Sequence, residues 1–157
     1  MAVNVGEKAP DFKGIDSTLK EKKLSDYKGQ NVVLAFFPGA FTSVCTKEMC
    51  TFRDSMANFN KLNAKVVGVS VDTPFSLAEF AKVNKLNFDL VSDANNEISK
   101  KYDVLYDSFL KIPGLHASKR SVFVIDRNGI VRYKWVSEDP GVEPDYKALE
   151  SEVAKLH

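Results

Sequence analysis

Residues 32–45 read VVLAFFPGAFTSVC, and the rest of the chain is arranged around this stretch. Its first six residues are all apolar, which is typical of a short strand that is buried on both faces. Pro38 then ends the strand. Thr42 or Ser43 offers a hydroxyl that can cap the free N–H groups of a new helix. The stretch therefore predicts a central strand followed directly by a helix, which we expect to reach about Asn60.

Cys45 falls in the first turn of that helix. Unpaired backbone N–H groups and the positive end of the helix dipole meet there, and both favour a negative charge. Such a position favours the thiolate, which is the nucleophilic form of cysteine. The alternative is a small buried hydrophobic residue, because free cysteine is commonly found in protein cores.

Helical spacing places the two cysteines on different sides of the helix. An apolar stripe recurs at helical spacing and comprises Cys45, Met49, Phe52, Met56 and Phe59. Cys50 is five residues beyond Cys45, about 140° around the helix and about 8–9 Å away between Cα atoms. This distance exceeds the ~7 Å limit for a disulfide that forms without backbone movement. A bridge between the two cysteines therefore requires the start of the helix to unwind.

The pattern Pro38-x-x-x-Thr42-x-x-Cys45 resembles the active-site motif of the peroxiredoxins, thiol peroxidases with a thioredoxin-like fold. The match extends over residues 36–48, FFPGAFTSVCTKE, and the resemblance as a whole covers nearly the entire chain. Two branches are most similar. One is the bacterioferritin-comigratory (PrxQ) branch, in which a second cysteine five residues on is the resolving thiol. The other is the AhpE-like branch, which residues 135–141, WVSEDPG, resemble.

The order of the other elements agrees with this fold. A β-branched run at 64–71 forms a strand–helix–strand unit with the first strand, so the two strands should be parallel neighbours. Asn128 and Gly129 predict a tight hairpin between strands at 121–126 and 130–136. The resemblance implies an α/β protein with a thioredoxin-like fold, in which helices flank a central mixed sheet on both faces. We expect one domain spanning the whole chain, residues 1–157.

Weaker signals complete the prediction. The segment from Phe12 to Leu24 predicts a hairpin, and Thr73 followed by proline predicts a capped helix start. Asp93 is a candidate cap for a short helix. Residues 105–117 have no clear periodicity, and we expect a loop there. The last helix should occupy residues 145–156.

Composition excludes several classes of function. The chain has 157 residues, 44% of them hydrophobic and 27% charged, which fits a globular domain with an ordinary core. The net charge of +1 gives no electrostatic reason to expect nucleic acid or a membrane as partner. The N-terminus lacks the apolar core of a signal peptide, so we expect a cytoplasmic protein with reduced thiols. Two cysteines and two histidines do not suggest a metal site, and we expect no cofactor.

The resemblance implies roles for six residues: Pro38, Thr42, Cys45, Glu48, Cys50 and Arg120. Cys45 would attack the peroxide and become a sulfenic acid. Thr42 would bond the thiolate and then the peroxide, whereas Pro38 would cover the sulfur. Arg120 would hold a permanent positive charge beside the sulfur.

Structural alternatives exist for several of these residues. Arg120 could be a solvated loop charge, and Glu48, which would orient it, could be an exposed acid favoured by the helix dipole. Cys50 could be a small buried residue beside Phe52 instead of a resolving thiol. Arg53 is a second candidate cation, which we interpret as a surface charge.

The resemblance also implies the partners of the chain. Hydrogen peroxide and small alkyl hydroperoxides are the expected substrates, and Phe37 and Phe41 are candidates for lining an apolar approach. A dithiol protein of the thioredoxin or glutaredoxin type is the expected reductant, and the chain should be a monomer or a homodimer. A redox-signalling module and a holdase chaperone are the alternative functions.

Overall fold

The computed structural model describes residues 2–156 and contains, within them, a seven-stranded mixed sheet, a separate two-stranded pair and four α-helices. The strands are β1 (Lys13–Asp16), β2 (Glu21–Lys23), β3 (Asn31–Phe36), β4 (Ala64–Ser70), β5 (Asp89–Ser92), β6 (Leu105–Tyr106), β7 (Ala117–Ser118), β8 (Ser121–Ile125) and β9 (Val131–Val136). The helices are α1 (Ser43–Lys61), α2 (Pro74–Asn84), α3 (Glu97–Lys101) and α4 (Tyr146–Ala154).

The main sheet has the strand order β2-β1-β5-β4-β3-β8-β9. β3 is parallel to β4 and antiparallel to β8, so the predicted strand–helix–strand unit is confirmed. All six residues of β3 are buried. Their continuous apolar run follows from this position, because layers of the protein cover both faces of the strand.

The two faces of the main sheet are covered unequally. Helices α1, α2 and α4 cover one face, where their side chains pack against Val33, Ala35 and Val124. The other face is covered by α3, a 3-10 turn at Leu24–Tyr27 and the N-terminal segment. The predicted mixed sheet with helices on both faces is therefore confirmed, although three of the four helices described within residues 2–156 lie on one side.

The long helix α1 follows its predicted course. It begins at Ser43, and every residue of the apolar stripe is buried, together with Glu48. Burial of this stripe against β3 and β4 stabilises the helix more than intrinsic propensity does. No helix within residues 2–156 combines the length and the apolar composition needed to cross a membrane.

The predicted caps of α2 and α3 are found with one adjustment. The Thr73 hydroxyl accepts a hydrogen bond from the Ser76 N–H, as expected. Asp93 lies four residues before α3 instead of directly at its start. Its two carboxylate oxygens nevertheless accept from the Ile98 and Ser99 amides, each at 2.8 Å, and so bind the free N–H groups of the first turn.

The hairpin predictions are confirmed, whereas the loop prediction for 105–117 is partly wrong. β1 pairs antiparallel with β2, and β8 pairs with β9 through a turn in which Gly129 has a φ of 83°. Within 105–117, β6 and β7 pair with each other and a 3-10 turn occupies Phe109–Lys111. Strands of two residues are too short to show periodicity, so no local pattern indicates them.

Candidate active site

Strand register brings Arg120 beside the start of α1. β3 leads into the loop that carries Pro38, and the last residue of β3, Phe36, pairs with the first residue of the antiparallel β8, Ser121. Arg120 directly precedes Ser121 and therefore lies next to that loop. Residues far apart in sequence thus meet at the end of β3. Cys45 and Arg120 are 75 positions apart.

Arg120 is 1% exposed, and its guanidinium is held by several hydrogen bonds. Its Nη2 donates to the Cys45 sulfur at 3.2 Å and to the Pro140 carbonyl at 2.8 Å. Its Nη1 donates to Glu48 Oε1 at 2.7 Å, and its Nε donates to the Pro140 carbonyl at 3.1 Å. The solvated-loop alternative for Arg120 is therefore wrong, because the side chain is buried and points at the cysteine.

Glu48 is fully buried on α1, so the exposed-acid alternative is wrong as well. Burial raises the pKa of this carboxyl to about 7, although the charge of Arg120 and its hydrogen bond act in the opposite direction. Glu48 Oε1 accepts from Arg120, whereas Oε2 has no hydrogen-bond partner among residues 2–156. The negative charge of Glu48 and the sulfur of Cys45 in turn raise the pKa of Arg120, against the effect of burial.

Thr42 occupies the N-cap position of α1, but its hydroxyl does not cap the helix. The Thr42 Oγ1 donates its one proton to the Gly39 carbonyl at 2.8 Å. Its lone pairs stay available to accept a hydrogen bond, as from a peroxide, but a bond to a thiolate needs the proton. The bond from Thr42 to the Cys45 thiolate that the resemblance implies is therefore absent from this geometry, and it would require the hydroxyl to rotate.

A pocket of about 230 Å³ opens above this arrangement, and we call it the Cys45 pocket. Its lining residues are Pro38, Thr42, Ser43, Val44, Phe109, Leu110, Arg120, Pro140 and Gly141. Cys45 is 0% exposed and is absent from the lining, but Arg120 lines the pocket and contacts the Cys45 sulfur. A small molecule entering the pocket therefore meets Arg120 before it reaches the sulfur.

The apolar wall of the Cys45 pocket comes from an unexpected segment. Phe109 and Leu110 supply it, and Leu110 has a φ of 55°, which is uncommon for a residue other than glycine. The two phenylalanines predicted to line the approach lie elsewhere: Phe37 is fully buried, and Phe41 packs on Phe80 with ring centroids 5.2 Å apart. That part of the prediction is wrong.

Asp72 is a site residue that sequence reasoning missed. Its Oδ2 accepts hydrogen bonds from the Ala40 N–H at 2.8 Å and from the Ser70 hydroxyl at 2.6 Å, and so ties the loop before α1 to the end of β4. A signal was present, because an acidic residue two positions after a strand parallel to β3 must lie near the end of β3. No such signal marks Pro140, whose main-chain carbonyl accepts from Arg120, because every residue type carries a main-chain carbonyl.

Cys50 is half-buried and lies against α2. Its thiol donates to Asn84 Oδ1 over 3.7 Å, and the Arg53 Nη1 lies 3.7 Å from its sulfur. Both cysteines are free thiols. The structure therefore brings five of the six predicted residues together around Cys45 and places Cys50 on a different face of α1.

Size alone would not have identified this site. A wider depression of about 470 Å³ lies between α2 and β5, near Ala78 and Phe88, and its lining contains no cysteine. Among residues 2–156, no three His, Cys, Asp or Glu side chains are grouped closely enough to hold a metal ion. The buried Cys45–Arg120 contact is what distinguishes the Cys45 pocket.

Comparison with known proteins agrees with the geometry. The model of the AhpC/TSA family matches residues 5–134, which is most of the chain. The chain belongs to the AhpC/TSA peroxiredoxin family. Peroxiredoxin Q of Oryza sativa subsp. japonica, a chloroplastic protein, is 41% identical over 131 residues, or 83% of this chain and 58% of the rice protein. That similarity agrees with the PrxQ branch, one of the two that the sequence resembles.

Two further relatives support membership of the peroxiredoxins. The mitochondrial thioredoxin-dependent peroxide reductase of Drosophila melanogaster is 40% identical over 149 residues, which cover 88% of this chain and 61% of that protein. The crystal structure of peroxidoxin BcpB from Mycobacterium tuberculosis superposes with a TM-score of 0.88 at 30% identity, over 99% of both chains. The chain spans about three fifths of the length of the curated relatives it matches.

Proposed function

We propose that this chain is a thiol peroxidase that reduces hydrogen peroxide and small alkyl hydroperoxides, with Cys45 as the nucleophile. The observation that carries the proposal is the 3.2 Å contact between Arg120 Nη2 and the Cys45 sulfur, made by a guanidinium that is almost completely buried. A permanent cation in this position stabilises negative charge on sulfur, and it does so strongly because little water screens the pair.

In the first step, the Cys45 thiolate attacks the terminal oxygen of the hydroperoxide. The O–O bond breaks, an S–O bond forms, and protonation of the leaving oxygen gives water or an alcohol. Cys45 becomes a sulfenic acid. Arg120 is fixed in advance by Pro140 and Glu48, so it stabilises the developing charge without rearranging during the reaction.

In the second step, the Cys50 thiol condenses with the Cys45 sulfenic acid to give a disulfide and water. The two cysteines lie on different faces of α1, five residues apart. The bridge can therefore form only when the first turns of the helix unwind, which is a minor state that each turnover must visit.

In the third step, a dithiol protein of the thioredoxin or glutaredoxin type reduces the disulfide and restores both thiols. The name of the Drosophila relative, thioredoxin-dependent peroxide reductase, supports a reductant of this kind. We retain a monomer or homodimer as the expected assembly. A cytoplasmic location stays a prediction, because the relatives with organelle names do not settle where this chain resides.

Peroxide consumption tests the proposal in a coupled assay with thioredoxin, thioredoxin reductase and NADPH. We expect the parent chain to oxidise NADPH in proportion to added hydrogen peroxide, and Cys45→Ser to reduce no peroxide at all. A second assay replaces thioredoxin with dithiothreitol as a check on the reductant. A parent chain that consumes no peroxide in either assay would contradict the proposal.

A further inference from the structure

Two polar side chains contact Cys50 where α1 meets α2, and the three residues form a cluster. The Cys50 thiol donates to Asn84 Oδ1, and Arg53 Nη1 contacts the Cys50 sulfur. The same Nη1 donates to the Asn84 main-chain carbonyl at 2.7 Å. We call these residues the Cys50–Arg53–Asn84 cluster. It is separate from the Cys45 pocket, and the steps described above make no use of Arg53 or Asn84.

The cluster sits where a cation is favourable. α2 ends at Asn84, because the following residue, Lys85, is in the left-handed conformation with a φ of 52°. The Asn84 carbonyl is one of the last carbonyls of α2, and these have no hydrogen-bond partner further along the helix. The helix dipole also makes this end of α2 negative. Arg53 supplies both a positive charge and a hydrogen-bond donor to that carbonyl.

Asn84 is also an unusual residue for its position. It follows Leu77, Phe80 and Ala81 on the inner side of α2, where an apolar residue would be the ordinary choice. Its side-chain nitrogen donates to the Phe80 carbonyl at 3.0 Å, which fixes the amide so that its oxygen faces Cys50. The amide therefore has a specific orientation toward the thiol.

We propose that Arg53 and Asn84 are positioning residues that hold Cys50 against α2 and so limit how often it reaches the oxidised Cys45. The inference rests on the proposed function, in which Cys50 resolves the sulfenic acid. Cys50 must leave Asn84 and lose its contact with Arg53 before the bridge can form. The strength of the cluster then sets the competition between bridging and a second attack by peroxide on the sulfenic acid.

The two competing reactions differ in their products. Bridging joins the Cys45 sulfenic acid to the Cys50 thiol and releases water. A second molecule of hydroperoxide instead transfers one oxygen to the sulfenic acid, giving a sulfinic acid and water or an alcohol. A chain in which Cys50 is released more easily should form more disulfide and less sulfinic acid at the same peroxide concentration.

Rapid-quench mass spectrometry of the full chain tests this inference. We expect Arg53→Ala and Asn84→Ala each to form the disulfide about fivefold faster than the parent, because a net hydrogen bond contributes roughly that factor. The yield of sulfinic acid under excess peroxide should fall correspondingly. Arg53→Lys keeps a donor for the Asn84 carbonyl and should fall between the parent and Arg53→Ala. The first oxidation of Cys45 should keep the rate of the parent in all three variants.

A matched control separates positioning from a general loss of stability. Arg132 donates to Asp126 at 2.7 Å on β9, so Arg132→Ala also removes one partly exposed ion pair, but away from α1. We expect this variant to bridge at the parent rate. The inference is overturned if Arg53→Ala and Asn84→Ala bridge no faster than the parent, or if Arg132→Ala bridges as fast as they do.

The outcome also distinguishes this inference from the function on which it rests. If the parent reduces peroxide and forms the bridge, and Arg53→Ala and Asn84→Ala bridge at the parent rate, only the role of the cluster is overturned. A parent that reduces peroxide but forms no bridge overturns both the cluster and the resolving role of Cys50, and leaves Cys45 as the peroxide-reducing thiol.

Discussion

Cys45 and Cys50 lie on the same helix, five residues apart, in opposite kinds of environment. Cys45 is fully buried and contacts a guanidinium that is fixed by Glu48 and the Pro140 carbonyl. Cys50 is half-buried at the surface of α2, and its contacts with Arg53 and Asn84 are both long, at 3.7 Å.

The difference suggests two different tasks. The surroundings of Cys45 are buried and charged, which suits a step that depends on electrostatic stabilisation of a transition state. The contacts of Cys50 are long and the residue is only half-buried, which suits a step that depends on a conformational change. Four substitutions test this contrast, beginning with the largest expected effect.

Arg120→Lys tests the surroundings of Cys45. Lysine keeps a positive charge but cannot donate to Cys45, Glu48 and Pro140 together, since it lacks the planar fork of arginine. We expect oxidation of Cys45 by hydrogen peroxide to slow by about 100-fold, the cost typical of losing a positioned donor. Stopped-flow fluorescence of the single tryptophan, Trp135, measures this rate. Arg132→Lys is the control and should oxidise at the parent rate. If Arg120→Lys slows the oxidation of Cys45 by less than about tenfold, positive charge alone is sufficient.

Glu48→Gln tests whether burial outweighs Arg120 in setting the pKa of Glu48. Burial raises the pKa of Glu48 from 4.5 to about 7, against the opposing influence of Arg120. Between these values the folded chain binds more protons than the unfolded chain, so the free energy of unfolding should fall as pH rises through this window. The fall attributable to Glu48 is on the order of 3 kcal/mol, at about 1.4 kcal/mol per pKa unit.

We expect Glu48→Gln to remove this fall, because the amide that replaces the carboxyl does not titrate. Urea unfolding of the parent and of Glu48→Gln on the two sides of the window measures it. The exposed Glu79→Gln on α2 should retain the pH dependence of the parent. Equal pH dependence in the parent and in Glu48→Gln would mean that Arg120 fully offsets the effect of burial on the pKa of Glu48.

Cys50→Ser tests the role of the second cysteine. The first oxidation of Cys45 should be unchanged, because Cys50 does not contact the Cys45 pocket. Turnover with thioredoxin should fall by more than about tenfold, since an external thiol at low concentration replaces an intramolecular one whose effective concentration reaches the millimolar range. Steady-state oxidation of NADPH measures the turnover. A variant that turns over like the parent would indicate that Cys50 is structural.

Leu110→Ala gives the smallest effect and tests the wall of the Cys45 pocket. Leu110 is 66% exposed but lines the pocket, so it should contact an alkyl chain on the substrate and not hydrogen peroxide. We expect kcat/KM to fall about threefold for cumene hydroperoxide, as loss of a small apolar contact area would cause, and to stay constant for hydrogen peroxide. Ile112→Ala, exposed but outside the lining, is the control. A parallel loss for both substrates would assign Leu110 a structural role.

The sequence predicted the parts of the fold that rest on strong local patterns. The buried run of β3, the proline that ends it and the apolar stripe of α1 each depend on neighbouring residues, and all three are found. The position of Arg120 followed from the family resemblance, and the antiparallel register of β3 and β8 gives it a physical reason. The structure places these residues together, whereas their roles in catalysis stay predictions.

Other features depend on tertiary contacts that no local pattern encodes. Arg53 was interpreted as a surface charge, because nothing in the sequence indicates that the end of α2 lies beside it. The left-handed conformation of Phe41 and the hydroxyl orientation of Thr42 likewise follow from packing and from the Gly39 carbonyl. The wall formed by Leu110 belongs to a segment whose strands are only two residues long.

The contrast between the two cysteines is tested most directly by the intact mass of the chain. The chain is treated with one equivalent of hydrogen peroxide, its free thiols are alkylated, and the mass is measured under denaturing conditions. The account predicts a product lighter by two hydrogens that takes up no alkyl label, which is a Cys45–Cys50 bridge within one chain. A product heavier by one oxygen, with Cys50 still labelled, would contradict the role of Cys50 and require an external resolving thiol. An unchanged mass with both cysteines labelled would contradict the peroxidase function itself.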